Sequence, residues 1–111
     1  MPVLGLAQTW SGYLVDAKCY QAEENNVNPF DPNFDANHNR GVEVEMCRPN
    51  AKTKSFAVVQ TDGRSFRLDA AGNAKALDLV KSAVAKSGLR VSVSGPMHKD
   101  TVTVDSISPV K

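Results

Sequence analysis

Residues 9–19, TWSGYLVDAKC, constrain the fold of this chain more than any other stretch, because they read as one long strand with apolar side chains on both faces. Side chains alternate along a strand, so Trp10 and Leu14 share one face and Tyr13 and Val15 the other. Such a strand needs cover on both sides and belongs in the middle of a structure. Gly12 gives it a bend point. A small barrel whose first strand curls to pair with both halves of its sheet uses a strand of this kind.

The rest of the chain is consistent with that idea. Residues 20–50 carry six asparagines between positions 25 and 39 and the turn-rich run NPFDPNFD, and neither a helical nor an alternating period survives there. They read as a long inserted loop, with Phe30 and Phe34 available to pack it down and VEVEM at 42–46 as a short extended piece. From position 56 the pattern becomes regular. Residues 56–61 are β-branched and aromatic, Asp62-Gly63 is a tight-turn dipeptide, and residues 65–70 place Phe66 and Leu68 inward with Arg67 and Asp69 outward. Gly72-Asn73 then caps a helix over 74–87, whose apolar face is Ala76, Leu77, Val80, Ala83 and Val84, and Gly88 ends it. Residues 89–94 alternate again and stop at Gly95-Pro96. A turn through His98-Lys99-Asp100 leads to a last strand, where the phase shift from Val102 and Val104 to Ile107 indicates a bulge.

The order strand, strand, strand, helix, strand, strand predicts a mainly β protein with some α+β content. The specific expectation is a five-stranded OB-fold barrel, β-β-β-α-β-β, with the long loop between strands one and two. Other α+β sheets with a covering helix share the same string of elements. Residues 9–111 form a single domain with its insertion at 20–50, and residues 1–8 stand outside it as a tail or a signal-peptide remnant. Gly5-Leu6-Ala7 resembles the small-residue site that ends a secretory signal.

Charge excludes more than it suggests. Thirteen basic against twelve acidic residues leave a formal charge of +1, which gives no general attraction to nucleic acid or anionic lipid. No run approaches the roughly 20 apolar residues that span a bilayer. Cys19 and Cys47 are the only thiols, and an even count in a small exported domain favours one disulfide. It would close a loop of about 28 residues, worth roughly 3.5 kcal/mol by chain entropy. The alternative is a pair of buried free thiols in a reducing compartment.

The combination WSGYLVDAKC, a later cysteine, FAVVQTDGRSFRLDAAGNAKAL, LRVSVSG and TVTVDSI resembles a family of small exported bacterial OB-fold proteins of uncharacterised function. The likeness runs from Trp10 to Ile107, with GYLVD, DG and LDAAGN as its more specific pieces. The segment from Asn25 to Arg40 departs from it, being longer and richer in asparagine. The resemblance implies export, the barrel and a Cys19–Cys47 pair, and it implies no activity.

Candidate chemistry is sparse. Asp31, Asn33, Asp35 and Asn37 place side-chain oxygens at alternate positions, a spacing that suits Ca²⁺. Ala36 stands where an EF-hand requires glycine, and Val42 where it requires the bidentate glutamate, so Asx turns in a solvated loop are the competing reading. His38 and His98 lack a second nitrogen or sulfur ligand at a familiar spacing and read as surface residues. No nucleophile stands with a base and an orienting group, and no phosphate-cradling glycine loop is present. No cofactor is implied. OB barrels bind oligosaccharide or nucleic acid across strands two and three, but here that face is apolar rather than basic, which disfavours nucleic acid. Tyr13, Val15 and Val59 on it need cover, from the long loop or from another molecule.

The expectation is therefore an exported, disulfide-linked OB-fold module, secreted or periplasmic, that binds or builds rather than catalyses. Its partner is a protein of unknown identity or a second copy. The competing expectation is a self-assembling subunit of an extracellular structure or filament, motivated by the apolar PVLGLA before the first strand and by barrel edges able to accept a strand.

Overall fold

A computed structural model describes residues 8–25, 30, 35–82 and 89–110, with the side chains of residues 36–39 outside the description. Strand β1 (Gln8–Asp16) has two different neighbours along its length. Its first half, from Gln8 to Tyr13, pairs antiparallel with β4 (Arg90–Gly95), and its second half, from Tyr13 to Asp16, pairs antiparallel with β2 (Phe56–Val59). The change of partner falls beside Gly12, where the Val59 backbone and the Val58 side chain occupy the space a Cβ would need. Only glycine lets the strands approach that closely.

Among the described residues one open, mixed, seven-stranded sheet forms, in the order β5 (Met97–His98), β6 (Thr101–Val102), β3 (Ser65–Leu68), β2, β1, β4 and β7 (Ser106–Pro109). Strand β3 follows β2 through a hairpin in which Gly63 takes φ +96° and the Asp62 carboxylate accepts the Arg64 N–H at 2.9 Å. Helix α3 (Ala70–Ser82) comes next, then β4, β5, β6 and β7. Strand β3 runs parallel to β6, and the other pairings are antiparallel.

The closed five-stranded barrel is not what these ladders form, since the sheet ends at β5 on one side and β7 on the other. The reason lies in the last hairpin. Pro96, which has no N–H to donate, separates β4 from β5, and Thr103, Val104 and Asp105 separate β6 from β7. Two hydrogen bonds bridge the interruption: Thr103 N–H donates to the Pro96 carbonyl (2.9 Å) and Asp105 N–H to the Ser94 carbonyl (2.8 Å). The phase shift read in the sequence is the break before β7.

The insertion is a second departure. In place of a loop it contains α1 (Ala17–Asn25) and α2 (Ala36–Met46). Asp16 ends the first strand and caps α1, its Oδ1 accepting the Cys19 N–H at 3.1 Å, so the strand stops short of the expected Cys19. The run 42–46 is the end of α2 rather than an extended piece, and Cys47 N–H donates to the Glu43 carbonyl four residues back. A disulfide joins Cys19 to Cys47, with Cα atoms 5.5 Å apart. It staples the start of α1 to the end of α2.

Helix α3 also begins earlier than expected. Asp69 is its cap: Oδ1 accepts the Gly72 N–H (2.9 Å) and the Val104 N–H (3.2 Å), so one carboxylate ties helix to strand. Asn73, read as part of the cap, instead accepts the Phe56 N–H at 3.0 Å. The expected end of this helix, including Ala83, Val84 and Gly88, lies outside the described residues, as does the tail at 1–7.

Two cores result, one on each face of β1 and β2. The larger holds Leu14, Phe56, Val58, Phe66, Leu68, Val91, Val93, Val102 and Val104 under Ala76 of α3, with the Trp10 ring 5.7 Å from that of Phe66. The smaller holds Val15, Ala57 and Val59 under Ala17 and Tyr20 of α1, Val44 of α2 and Cys47 just after it.

Gly12→Ala is expected to destabilise the protein by about 1–3 kcal/mol, the usual cost of forced overpacking, as measured by denaturant unfolding. Replacing both cysteines by serine is expected to remove roughly 3.5 kcal/mol. Amide exchange in that variant should rise most in α1 and α2, while β4 and β7, outside the bridged segment, keep the highest protection.

Candidate functional site

The face of β2 and β3 that turns toward α1 carries a recess with a mixed polar lining. The recess, of about 170 Å³, is lined by Ala57 of β2, Ser65 and Arg67 of β3, Tyr20 and Gln21 of α1, and Asp100. Each element arrives for a local reason. The Asp16 cap sets the start of α1, so Tyr20 turns inward and is buried, while Gln21, one residue on, reaches the Arg67 guanidinium, which donates to its side-chain oxygen. Asp100 is placed by the parallel ladder, Arg67 N–H donating to its carbonyl at 2.8 Å. Lys99 beside it takes the left-handed φ of +59° that the tight β5–β6 turn requires.

The recess therefore combines a guanidinium, an amide, a hydroxyl, a phenol and a carboxylate over a small apolar floor. That set can both donate and accept directional hydrogen bonds. Nucleic acid would ask for several cations and stacking rings, and here one arginine is present.

Behind the recess lies a second polar cluster. Glu43 is 4% exposed, and its Oε2 has no hydrogen-bond partner. Burial raises its pKa to about 7, helped by the charge of Glu24 and by a hydrogen bond with that residue's side chain, while Arg40 works in the opposite sense. Tyr20 is raised above the usual tyrosine range, first by burial, then by the charges of Glu24 and Glu43 and a hydrogen bond to Glu24. Glu24 thus meets both groups. Glu43 can give it a hydrogen bond only while one of the two carboxyls carries a proton.

The residues singled out in the sequence fall as follows. Val15 and Val59 are buried beneath α1 and α2, so the cover over this face comes from the chain's own helices. Tyr13 is half-buried at the margin, with the Arg90 guanidinium 5.7 Å from its ring centre. Phe30 is 90% exposed. Phe34, Asp31 and Asn33 lie outside the described residues. Asp35 is exposed and stands immediately before α2, and Asn37 lies in that helix's first turn. Among the described residues no group of three or more His, Cys, Asp or Glu side chains is placed to hold a metal ion. His98 lies exposed on β5, and His38 lies in α2. No helix among the described residues is long and apolar enough to cross a membrane.

Tyr20, Gln21, Glu24 and Glu43 are the residues that the sequence reading missed. The signal was present in AKCYQAEE, which is rich in good helix formers and sets Tyr20 and Glu24 four apart.

A raised phenol pKa has a readable consequence. The folded state holds the Tyr20 proton more tightly than the unfolded state, so its contribution to stability is complete below pH 10 and is lost as pH rises through the folded value. In Tyr13→Phe, which leaves Tyr20 as the sole tyrosine, ultraviolet titration should show phenolate absorbance appearing above the ordinary range. In denaturant it should return to near pH 10. Comparison with family models, with curated proteins and with solved structures found no match to this chain.

Proposed function

We propose that this chain is an exported OB-type module that binds a polar, uncharged ligand across β2 and β3 and catalyses nothing. The observation that carries this reading is the recess between α1 and β3, with Arg67, Gln21, Ser65 and Asp100 around it. Its volume of about 170 Å³ is below the roughly 300 Å³ at which sites enclosing a whole small molecule begin. It suits one unit of a longer ligand, and a neutral oligosaccharide offers repeated hydroxyls of the right kind.

Support for the OB assignment comes from the pairings. When β4 with β5 and β6 with β7 are each counted as one interrupted strand, five strands remain. The first is shared between the second and the fourth, and the third runs parallel to the fifth. The bonds from Thr103 to Pro96 and from Asp105 to Ser94 favour that count. The Cys19–Cys47 disulfide supports an oxidising compartment, outside the cell or in a periplasm. Self-assembly is the second reading, favoured by the two open ends of the sheet at β5 and β7.

Titration of ¹⁵N-labelled protein with a neutral hexasaccharide such as cellohexaose, and in parallel with an eight-residue oligo(dT), tests the proposal. Shifts confined to β2, β3 and α1 with the sugar, and at least tenfold weaker binding in Arg67→Ala, are expected. A response to oligo(dT) alone would move the assignment to nucleic acid. No response to either, with light scattering showing polymers, would favour the assembly reading.

A further inference from the structure

The smaller core is closed by a lid with a polar weak point. Helices α1 and α2 cover Val15, Ala57 and Val59, yet the helix interface also contains Glu43, whose Oε2 is buried without a partner. An ionised carboxylate in that position is costly, because burial removes its water and nothing replaces it. A protonated one is far cheaper, and it can donate to Glu24, which already accepts from Tyr20. We infer that the stapled helix pair is a pH-responsive cover, docked while Glu43 holds its proton and loosened when that proton leaves, with the disulfide keeping the helices attached throughout.

The groups facing Glu43 set the direction. From α1 these are Tyr20, Glu23 and Glu24, and from its own helix Arg40. Strand β1 brings Tyr13 to this side of the molecule, while β2 has no titratable residue. Asp16 is occupied elsewhere, its two oxygens accepting the Cys19 N–H and the Thr53 hydroxyl. Arg40 is the one cation in the set, and its guanidinium also donates to the Thr61 carbonyl at 3.2 Å, beside Gly63. Negative charge therefore outweighs positive around Glu43.

The sign of the effect follows. The docked form holds the proton up to about pH 7, whereas an undocked Glu43 would release it near the ordinary glutamate value of 4.5. Docking is strongest below pH 4.5, weakens as pH rises toward 7, and changes no further above that. The opening constant should rise by about tenfold per pH unit within the window.

Amide protection factors measured by hydrogen exchange on the oxidised protein, together with ¹³C titration of the glutamate carboxyls, test this. Protection in α1 and α2 should fall on the order of fifty-fold between pH 5 and 7.5, with β1 and β4 unchanged, and the Glu43 carboxyl should titrate near 7. In Glu43→Gln the helix protection should vary less than twofold over the same range. Should that variant fail to fold, Glu24→Gln supplies the second test: removing the neighbouring charge should lower the Glu43 midpoint and move the loss of protection with it. A Glu43 midpoint near 4.5, helix protection independent of pH, or an equal fall in every strand would each overturn the inference.

Discussion

The close passage of β1 over β2 at Gly12 is the constraint on which the rest of the architecture depends. A strand that pairs first with β4 and then with β2 must bend where it changes partner, and here the Val59 backbone fills the space of the missing side chain. Once bent, the strand has no solvent face over its second half. Leu14 enters the core beneath α3 and Val15 enters the core beneath α1 and α2. Strand β2 inherits the same condition, and all four of its residues are buried. A four-residue strand covered on both sides must have a layer of structure on each, which gives the insertion its role. It is the second layer, and the sheet would be left with apolar surface without it.

How much of this was legible depends on how local each signal is. The β2–β3 hairpin could be read because Asp62-Gly63 and the alternation of Phe66 and Leu68 sit next to one another in the chain. Helix α3 was visible from its periodicity, though its start was misplaced by four residues. Asp69 looked like an outward strand residue, and its second bond, to Val104, is thirty-five positions away. The helices of the insertion were hidden for a different reason. In VEVEM strict alternation and a helical face coincide over so short a run, and what separates them is that Glu43, Val44 and Cys47 are the buried ones. That burial exists only because β1 and α1 are there to receive it.

The site was less legible than the fold. Arg67 and Gln21 are forty-six positions apart, and Asp100 reaches them only through the parallel pairing of β3 with β6. No spacing rule brings three such segments together. Residues 31–37 carried only a local spacing of side-chain oxygens, and of these Asp35 stands just before α2 and Asn37 in its first turn. The ladder breaks at Pro96 and at Thr103–Asp105 were half-visible: proline and a phase change marked the places, but not that the sheet would stop there.

The position of the disulfide carries one more consequence, for how the chain responds to being cut. Cys19 and Cys47 enclose nearly all of α1, all of α2 and the segment between them, and among the described residues no strand of the sheet lies within the bridged interval. Hydrolysis of any single peptide bond inside that interval leaves two pieces that are still covalently joined. The leading piece stays seated through β1, which is paired on both sides. The trailing piece stays in place through the Cys47 carbonyl, which accepts the Asp16 N–H at 2.8 Å, and through the whole of the remaining sheet. A protease that nicks the insertion would therefore produce a two-chain molecule with its larger core intact, and a reductant would be needed to turn the nick into a separation.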